Sequence, residues 1–165
     1  MSSRIVTRRL VLRRAREADL AALHAIMSDA ATMRYWSSPP HADLAETREW
    51  LAAMIAAPAG ESDDYIIEHE GQAIGKLGAW RLPEIGFMLA RPLWGRGFAG
   101  EALAAFVAHA FASGCDHLTA DVDPRNGGSL AVLRRAGFHE TGRAARTWYV
   151  GGEWCDSVYL RLDRA

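Results

Sequence analysis

The stretch Arg91-Pro92-Leu93-Trp94-Gly95-Arg96-Gly97-Phe98-Ala99-Gly100 constrains this chain most, because it joins an apolar strand-like run to an amphipathic helix through a glycine-rich loop. From Glu101 onward Leu103, Phe106, Val107, Ala110 and Phe111 follow the i, i+3, i+4, i+7, i+8 rhythm of one buried helix face. The helix is predicted to start at Gly97 or Phe98. Its first N–H groups lack intrahelical acceptors and carry the positive end of the dipole, so a phosphate there gains roughly 0.3 to 1 kcal/mol per charge. Taken alone, the stretch reads first as a tight turn entering a helix and second as an anion cradle. Gly95, Gly97 and Gly100 also fit the dinucleotide fingerprint G-x-G-x-x-G, with Asp121 where a ribose-binding acid belongs. That fingerprint follows the first strand of a βαβ unit, whereas here a meander precedes the loop and too little chain follows for a second half. A dinucleotide-binding oxidoreductase is therefore the lesser reading.

The meander is read from period-two runs: Tyr65 to Glu68 and Gln72 to Trp80 form a hairpin turned at Glu70-Gly71, followed by a strand from Glu84 to Leu89. Before it come a strand near Ile5 to Arg14, a helix over about Asp19 to Ser28 and a helix over about Ala42 to Ala57, which Pro58-Ala59-Gly60 ends. Leu20, Leu23 and Met27 face inward in the first helix, and Leu44, Leu51 and Ile55 in the second. Cys115 to Val122 reads as a strand, and His139 to Val150 and Glu153 to Leu162 as a last hairpin turned at Gly151-Gly152. No linker, repeat or low-complexity tract interrupts the 165 residues, so 1–165 is expected to form a single domain with a sizeable core.

A net charge of −1 and a basic set that is nearly all arginine, with Lys76 the sole lysine, argue against a nucleic-acid partner. No apolar run approaches the roughly 20 residues that span a bilayer. Met1-Ser2-Ser3-Arg4 leads into a strand pattern without a signal-peptide core, so no membrane association and a cytoplasmic location are expected. Cys115 and Cys155 lack metal-ligand spacing and are expected to be reduced. No metal is expected: the histidines lack HExxH spacing, and Asp121-x-Asp123 is followed by Arg125 and Val132 where a calcium loop needs oxygen ligands. Gly71 to Lys76 misses the P-loop in spacing and in its terminal Ser/Thr.

Asn126-Gly127-Gly128-Ser129-Leu130-Ala131-Val132-Leu133-Arg134-Arg135-Ala136-Gly137-Phe138 reads as a short helix with Asn126 at its N-cap and Gly137 as the left-handed residue that ends it. Strand, glycine loop, helix, strand, then an Asn-x-x-Ser helix ending in Gly-Phe is an order that resembles the GNAT superfamily of N-acetyltransferases. Thr7-Arg8-Arg9-Leu10-Val11-Leu12-Arg13, Ala18-Asp19-Leu20, Glu84-Ile85-Gly86-Phe87-Met88-Leu89 and Trp94-Gly95-Arg96-Gly97 are similar to the branch that includes the ribosomal-protein N-terminal acetyltransferases. The resemblance implies an α/β (α+β) fold: a mixed, mostly antiparallel sheet of about seven strands, helices on both faces, and a splayed V-shaped cleft between strands 4 and 5. It also implies acetyl-CoA as cosubstrate, without a metal.

By the same resemblance the pantetheine arm bonds to the backbone of Phe87, Met88 and Leu89, and the pyrophosphate rests on Trp94, Gly95, Arg96, Gly97, Phe98, Ala99 and Gly100, with Asn126 and Ser129 also near the coenzyme. Trp94 departs from the Gln/Arg that opens the family's loop motif, which removes a side-chain contact sometimes made there. Acyl transfer to an amine requires a base, a stabilised thioester oxygen and protonation of the leaving thiolate. Deprotonating a peptide α-amine at pH 7 costs about 1 kcal/mol and a lysine amine about 4.6 kcal/mol. Glu84 matches the place of a glutamate base in several relatives, against a plain reading as a solvated strand-end carboxylate. Leu133 occupies the position where many relatives carry an acidic tyrosine, and Ser129 holds a serine given that role in the N-terminal branch. Capping accounts for Asn126 and Ser129 equally well.

The acceptor end is implied to draw on the loop between the first two helices, with Met33, Arg34, Tyr35 and Trp36, and on the last hairpin, with Arg146, Trp148 and Tyr149; of these, Tyr35, Trp36, Trp148 and Tyr149 are the expected substrate contacts. The expected function is transfer of acetyl from acetyl-CoA to a primary amine, either a protein N-terminal α-amine or a small molecule, by direct attack in a monomer or homodimer. Leu133 and Trp94 keep a non-catalytic acyl-CoA-binding domain as the alternative.

Overall fold

The computed structural model describes residues 4–165, and the reading of Met1 to Ser3 as a leaderless start lies outside them. The described strands form one eight-stranded sheet, with spatial order β1-β2-β3-β4-β5-β6-β8-β7. The expected first strand is two: β1 (Arg4–Val6) and β2 (Val11–Arg13) pair antiparallel. Thr7 makes the turn between them, since its N–H donates to the Leu10 carbonyl at 2.9 Å and its Oγ1 accepts from the Leu10 N–H at 2.9 Å. This side-chain closure converts an apparently continuous run into a hairpin, which the alternation of apolar residues alone does not show.

β3 (Asp63–His69), β4 (Gln72–Arg81) and β5 (Glu84–Leu89) form the meander. Along β3 the faces alternate as strand geometry requires. Ile66 packs with Leu23 of α1 (Leu20–Met27) and with Leu51 and Met54 of α3 (Leu44–Ala56). Its neighbours Tyr65 and Ile67 join Leu103 and Phe106 of α4 (Phe98–Ala112) on the other face. Helices therefore cover both faces. A short α2 (Ala30–Met33), capped by Asp29, lies between α1 and α3. In α3 the buried stripe is Thr47, Leu51 and Met54; Leu44 and Ile55, expected inward, are exposed. Ile55 sits one residue beyond that stripe, and Leu44 heads the helix where nothing covers it.

After α4 come β6 (His117–Val122), α5 (Gly127–Arg135), β7 (His139–Val150) and β8 (Glu153–Asp163). Gly151 and Gly152 both adopt positive φ, 57° and 82°, as a two-residue hairpin turn between right-twisted strands demands. β5 and β6 are the parallel neighbours of the sheet and pair at one register, Glu84 opposite Thr119, with the Thr119 N–H donating to the Pro83 carbonyl at 3.0 Å. Beyond that point they part, leaving the V-shaped cleft. Cys115 and Cys155 are free thiols. Among the described residues no helix is long and apolar enough to cross a membrane.

Candidate active site

At the wide end of the cleft, Gly95 and Gly97 take left-handed φ of 76° and 78°, and Gly97 forms the N-cap of α4. The helical ladder begins with the Glu101 N–H, which donates to the Gly97 carbonyl at 3.1 Å. Among the described residues, the amides of Gly95 to Gly100 have no acceptor on the protein. A Cβ built on Gly95 or Gly100 would meet nothing within 4 Å, so the space beside these two residues is open. The Phe98 side chain, by contrast, is buried in the main core. These are the properties of an anion cradle rather than of a closed turn.

Along the cleft wall, the Ala90 N–H donates to Ile74 of β4 at 2.7 Å. Strand alternation then directs the backbone groups of Met88, opposite Lys76, toward β4, and those of Phe87 and Leu89 toward the gap. Met88 therefore drops out of the expected backbone set: its side chain packs with Met27 and Met33, and its peptide groups belong to the β4–β5 ladder. The Trp94 indole N–H donates to the Leu89 carbonyl at 2.7 Å, so this residue closes the end of β5 with its side chain. The backbone groups of Phe87 and the Leu89 N–H are left outside the β4–β5 ladder, on the cleft side.

Glu84 opens β5 at the seam where the strands part. Its carboxyl keeps an open edge, yet burial, followed by the charge of Asp121, pushes it above the usual glutamate range. Asp121 lies two residues past Thr119 on the same face of β6 and accepts a hydrogen bond from the Trp148 indole N–H at 3.0 Å. Trp148 is thereby brought to the site. Tyr149 is not: successive strand residues point to opposite faces, and the Tyr149 ring packs tilted against Trp154 with centroids 5.3 Å apart, with Arg146 over the same Trp154 ring. The guanidinium groups of Arg34 and Arg125 stand 5.2 Å and 5.4 Å from the centre of the Tyr35 ring. Arg125 is itself gripped by Asp123 at 3.0 and 2.7 Å and by Glu153 at 2.7 Å. Trp36 approaches the backbone of Gly86, where an added Cβ would stand 3.4 Å from its ring. Asp121 and Arg125 were not foreseen in these places, although the alternation along β6 puts Asp121 on the face of Thr119.

On the opposite wall, Asn126 accepts the Ser129 N–H at 3.2 Å, an N-cap. Its side-chain oxygen is thus engaged in starting α5. The Ser129 hydroxyl makes no hydrogen bond among the described residues. Leu133 is completely buried in the core, away from the cleft surface.

The sequence matches the acetyltransferase (GNAT) domain over residues 9–139. This chain belongs to the GNAT family. Among curated relatives of this GNAT chain, an uncharacterized N-acetyltransferase p20 of Bacillus licheniformis is 27% identical over 148 residues, covering 84% of this chain and 83% of the relative. An L-methionine sulfoximine/L-methionine sulfone acetyltransferase of Pseudomonas paraeruginosa is 28% identical over 164 residues, covering 92% and 93%. Among solved structures, the ribosomal-protein alpha-N-acetyltransferase RimL in complex with coenzyme A superposes with a TM-score of 0.86 at 24% identity, covering 97% of each chain. The GNAT architecture and the resemblance to the ribosomal-protein branch thus hold at the level of fold, with eight strands in place of about seven.

Proposed function

We propose that this GNAT N-acetyltransferase moves the acetyl group of acetyl-CoA directly onto a primary amine, as one catalytic domain. The observation that carries the reading is the single-register pairing of β5 and β6, which puts an unpaired row of amides at one end of the cleft and a carboxylate of raised affinity for protons at its seam. In this reading the amides of Gly95 to Gly100 hold the diphosphate. The cleft-facing groups of Phe87 and Leu89 bond the pantetheine as an added strand would. Glu84 takes the proton of the acceptor ammonium, a task that favours a base whose pKa is raised toward neutrality. The Ser129 hydroxyl donates to the departing sulfur, and Asn126 fixes the turn that presents it. Trp36, Tyr35 and Trp148 wall the acceptor side.

The acceptor is an amine of either class acted on by similar proteins: RimL is an alpha-N-protein acetyltransferase, and the Pseudomonas relative acts on methionine sulfoximine and methionine sulfone. A thiol-release assay with acetyl-CoA, run over peptides of varied N-terminal residue, free amino-acid derivatives and polyamines, tests the reading. Release of coenzyme A with at least one acceptor is expected. Coenzyme binding by calorimetry without release for any amine would leave an acyl-CoA-binding domain instead, and absence of both would remove the assignment of the cleft.

A further inference from the structure

Behind the anion cradle, the β1–β2 turn is bolted to the first turn of α4 by contacts that no step of the reaction uses. Glu101 stands there. A carboxylate so close to the N-terminus of α4 is favourable for the free helix but repels an anion bound at the same end. Both of its oxygens are engaged: Oε1 accepts from the Thr7 hydroxyl at 2.7 Å and from the Arg9 N–H at 2.8 Å, and Oε2 accepts from Arg9 Nε at 2.7 Å. Burial alone would raise this carboxyl, but the donors from Thr7 and Arg9 outweigh it and hold it below the usual glutamate range. Glu101 is therefore charged at neutral pH, and Arg9 is the cation that balances it.

Arg9 also reaches the loop. Its Nη1 donates to the Arg96 carbonyl at 3.0 Å, and its guanidinium lies 4.3 Å from the centre of the buried Phe98 ring. The Phe98 ring is backed by His69, which in turn contacts the Arg9 carbonyl through Nδ1 at 3.0 Å. In a planar trans peptide the C=O and the following N–H point in opposite directions. Holding the Arg96 carbonyl toward Arg9 thus turns the Gly97 N–H away from Arg9, to the side of the cradle. The left-handed φ of Gly97 permits that orientation.

We propose that Arg9 is a positioning residue for the diphosphate of the acyl-CoA cosubstrate, neutralising Glu101 and aiming the Gly97 N–H into the cradle. The inference rests on the proposed function, and it separates from a purely structural tie by which part of the cosubstrate it affects. The test compares acetyl-CoA with S-acetylpantetheine, which lacks the diphosphate, in wild-type protein, Arg9→Met, Arg9→Lys and Arg9→Met combined with Glu101→Gln. Arg9→Met is expected to raise KM for acetyl-CoA about tenfold with little change in kcat, while kcat/KM for S-acetylpantetheine holds. Adding Glu101→Gln recovers part of the affinity because the uncovered charge is gone. Arg9→Lys, a point cation that cannot bridge Glu101 and the Arg96 carbonyl together, gives a smaller loss of the same kind. Equal losses on both thioesters, or no change in KM for acetyl-CoA, overturn the inference. If Arg9→Met does not fold, Arg9→Lys is judged by the same comparison. Wild-type protein that neither binds coenzyme A nor releases thiol refutes the parent function and this inference together, which the wild-type arm identifies.

Discussion

Glu84 and Asp121 lie on the same side of the seam, Asp121 two residues past the Thr119 that stands opposite Glu84, and the coupling of the two carboxylates has a measurable sign. Burial and the Asp121 charge both favour the protonated form of Glu84, so the acid limb of kcat/KM against pH should lie above the range of an ordinary glutamate. Asp121→Asn removes the like charge and should move that limb to lower pH, with its Trp148 contact still available through the amide oxygen. An unmoved limb would show that Glu84 titrates independently of Asp121 or is not the base. Glu84→Gln should lower kcat/KM by about 10² to 10⁴, the usual contribution of a positioned base, with the affinity for coenzyme A kept. Ser129 gives a third test at this scale. Because its hydroxyl is not committed to a protein partner among the described residues, Ser129→Ala should lower kcat more than it raises KM for acetyl-CoA, and an unchanged kcat would leave Ser129 with no part in protonating the sulfur.

The loop between β5 and α4 works through backbone shape, so its test is conformational. Gly97 has φ of 78°, where an alanine is disfavoured by roughly 1–2 kcal/mol, while the nearest atom to an added Cβ, Arg9 Nη2, is 3.5 Å away. Gly97→Ala should therefore fold, weaken acetyl-CoA binding about tenfold and leave kcat nearly unchanged; titration calorimetry with coenzyme A checks it. This element was legible in the sequence because its determinants are local: glycines at the positions of positive φ, and an apolar period that fixes the start of α4 at Phe98. The same holds for α5, whose Asn126 cap and Gly137 end, with φ of 100°, stand where residue type alone places them. Most of what escaped depends on partners outside the local pattern. Ile55 left exposed on α3, Tyr149 turned toward Trp154 across the hairpin, and Met88 committed to β4 are each decided by which surface another segment covers, whereas the Thr7 turn is local but is set by a side-chain hydrogen bond that apolar alternation does not reveal. Asp121 lay in plain view, but its importance comes from the Glu84–Thr119 register, which no local pattern states.

Across the whole molecule, ion pairs fasten the N-terminal segment to the sheet. Arg13 on β2 donates to both Asp19 oxygens, at 2.8 and 3.0 Å, and pairs with Glu68 on β3, while the Arg16 N–H donates to Asp19 at 2.9 Å. Asp19 is buried, which alone would raise its pKa, but the hydrogen bonds from Arg13 and then Arg16 hold it below the usual range. A carboxyl depressed in the folded state contributes stability that is complete above its unfolded pKa of about 3.9 and is lost as pH falls through the folded value. Asp123, depressed by Arg125, and Glu101, depressed by Thr7 and Arg9, carry the same sign. The urea midpoint should thus change little from neutral pH down to about 5 and fall steeply below about 4. Asp19→Asn should destabilise the protein by about 2–3 kcal/mol at pH 7, because the charge-assisted bonds of a half-buried arginine are weakened while Glu68 still pairs with it. The difference between wild type and Asp19→Asn should shrink as pH falls toward 3, since protonation of Asp19 in the wild type abolishes the same charge. A gap that stays constant with pH would mean that Asp19 contributes through packing and not through its charge.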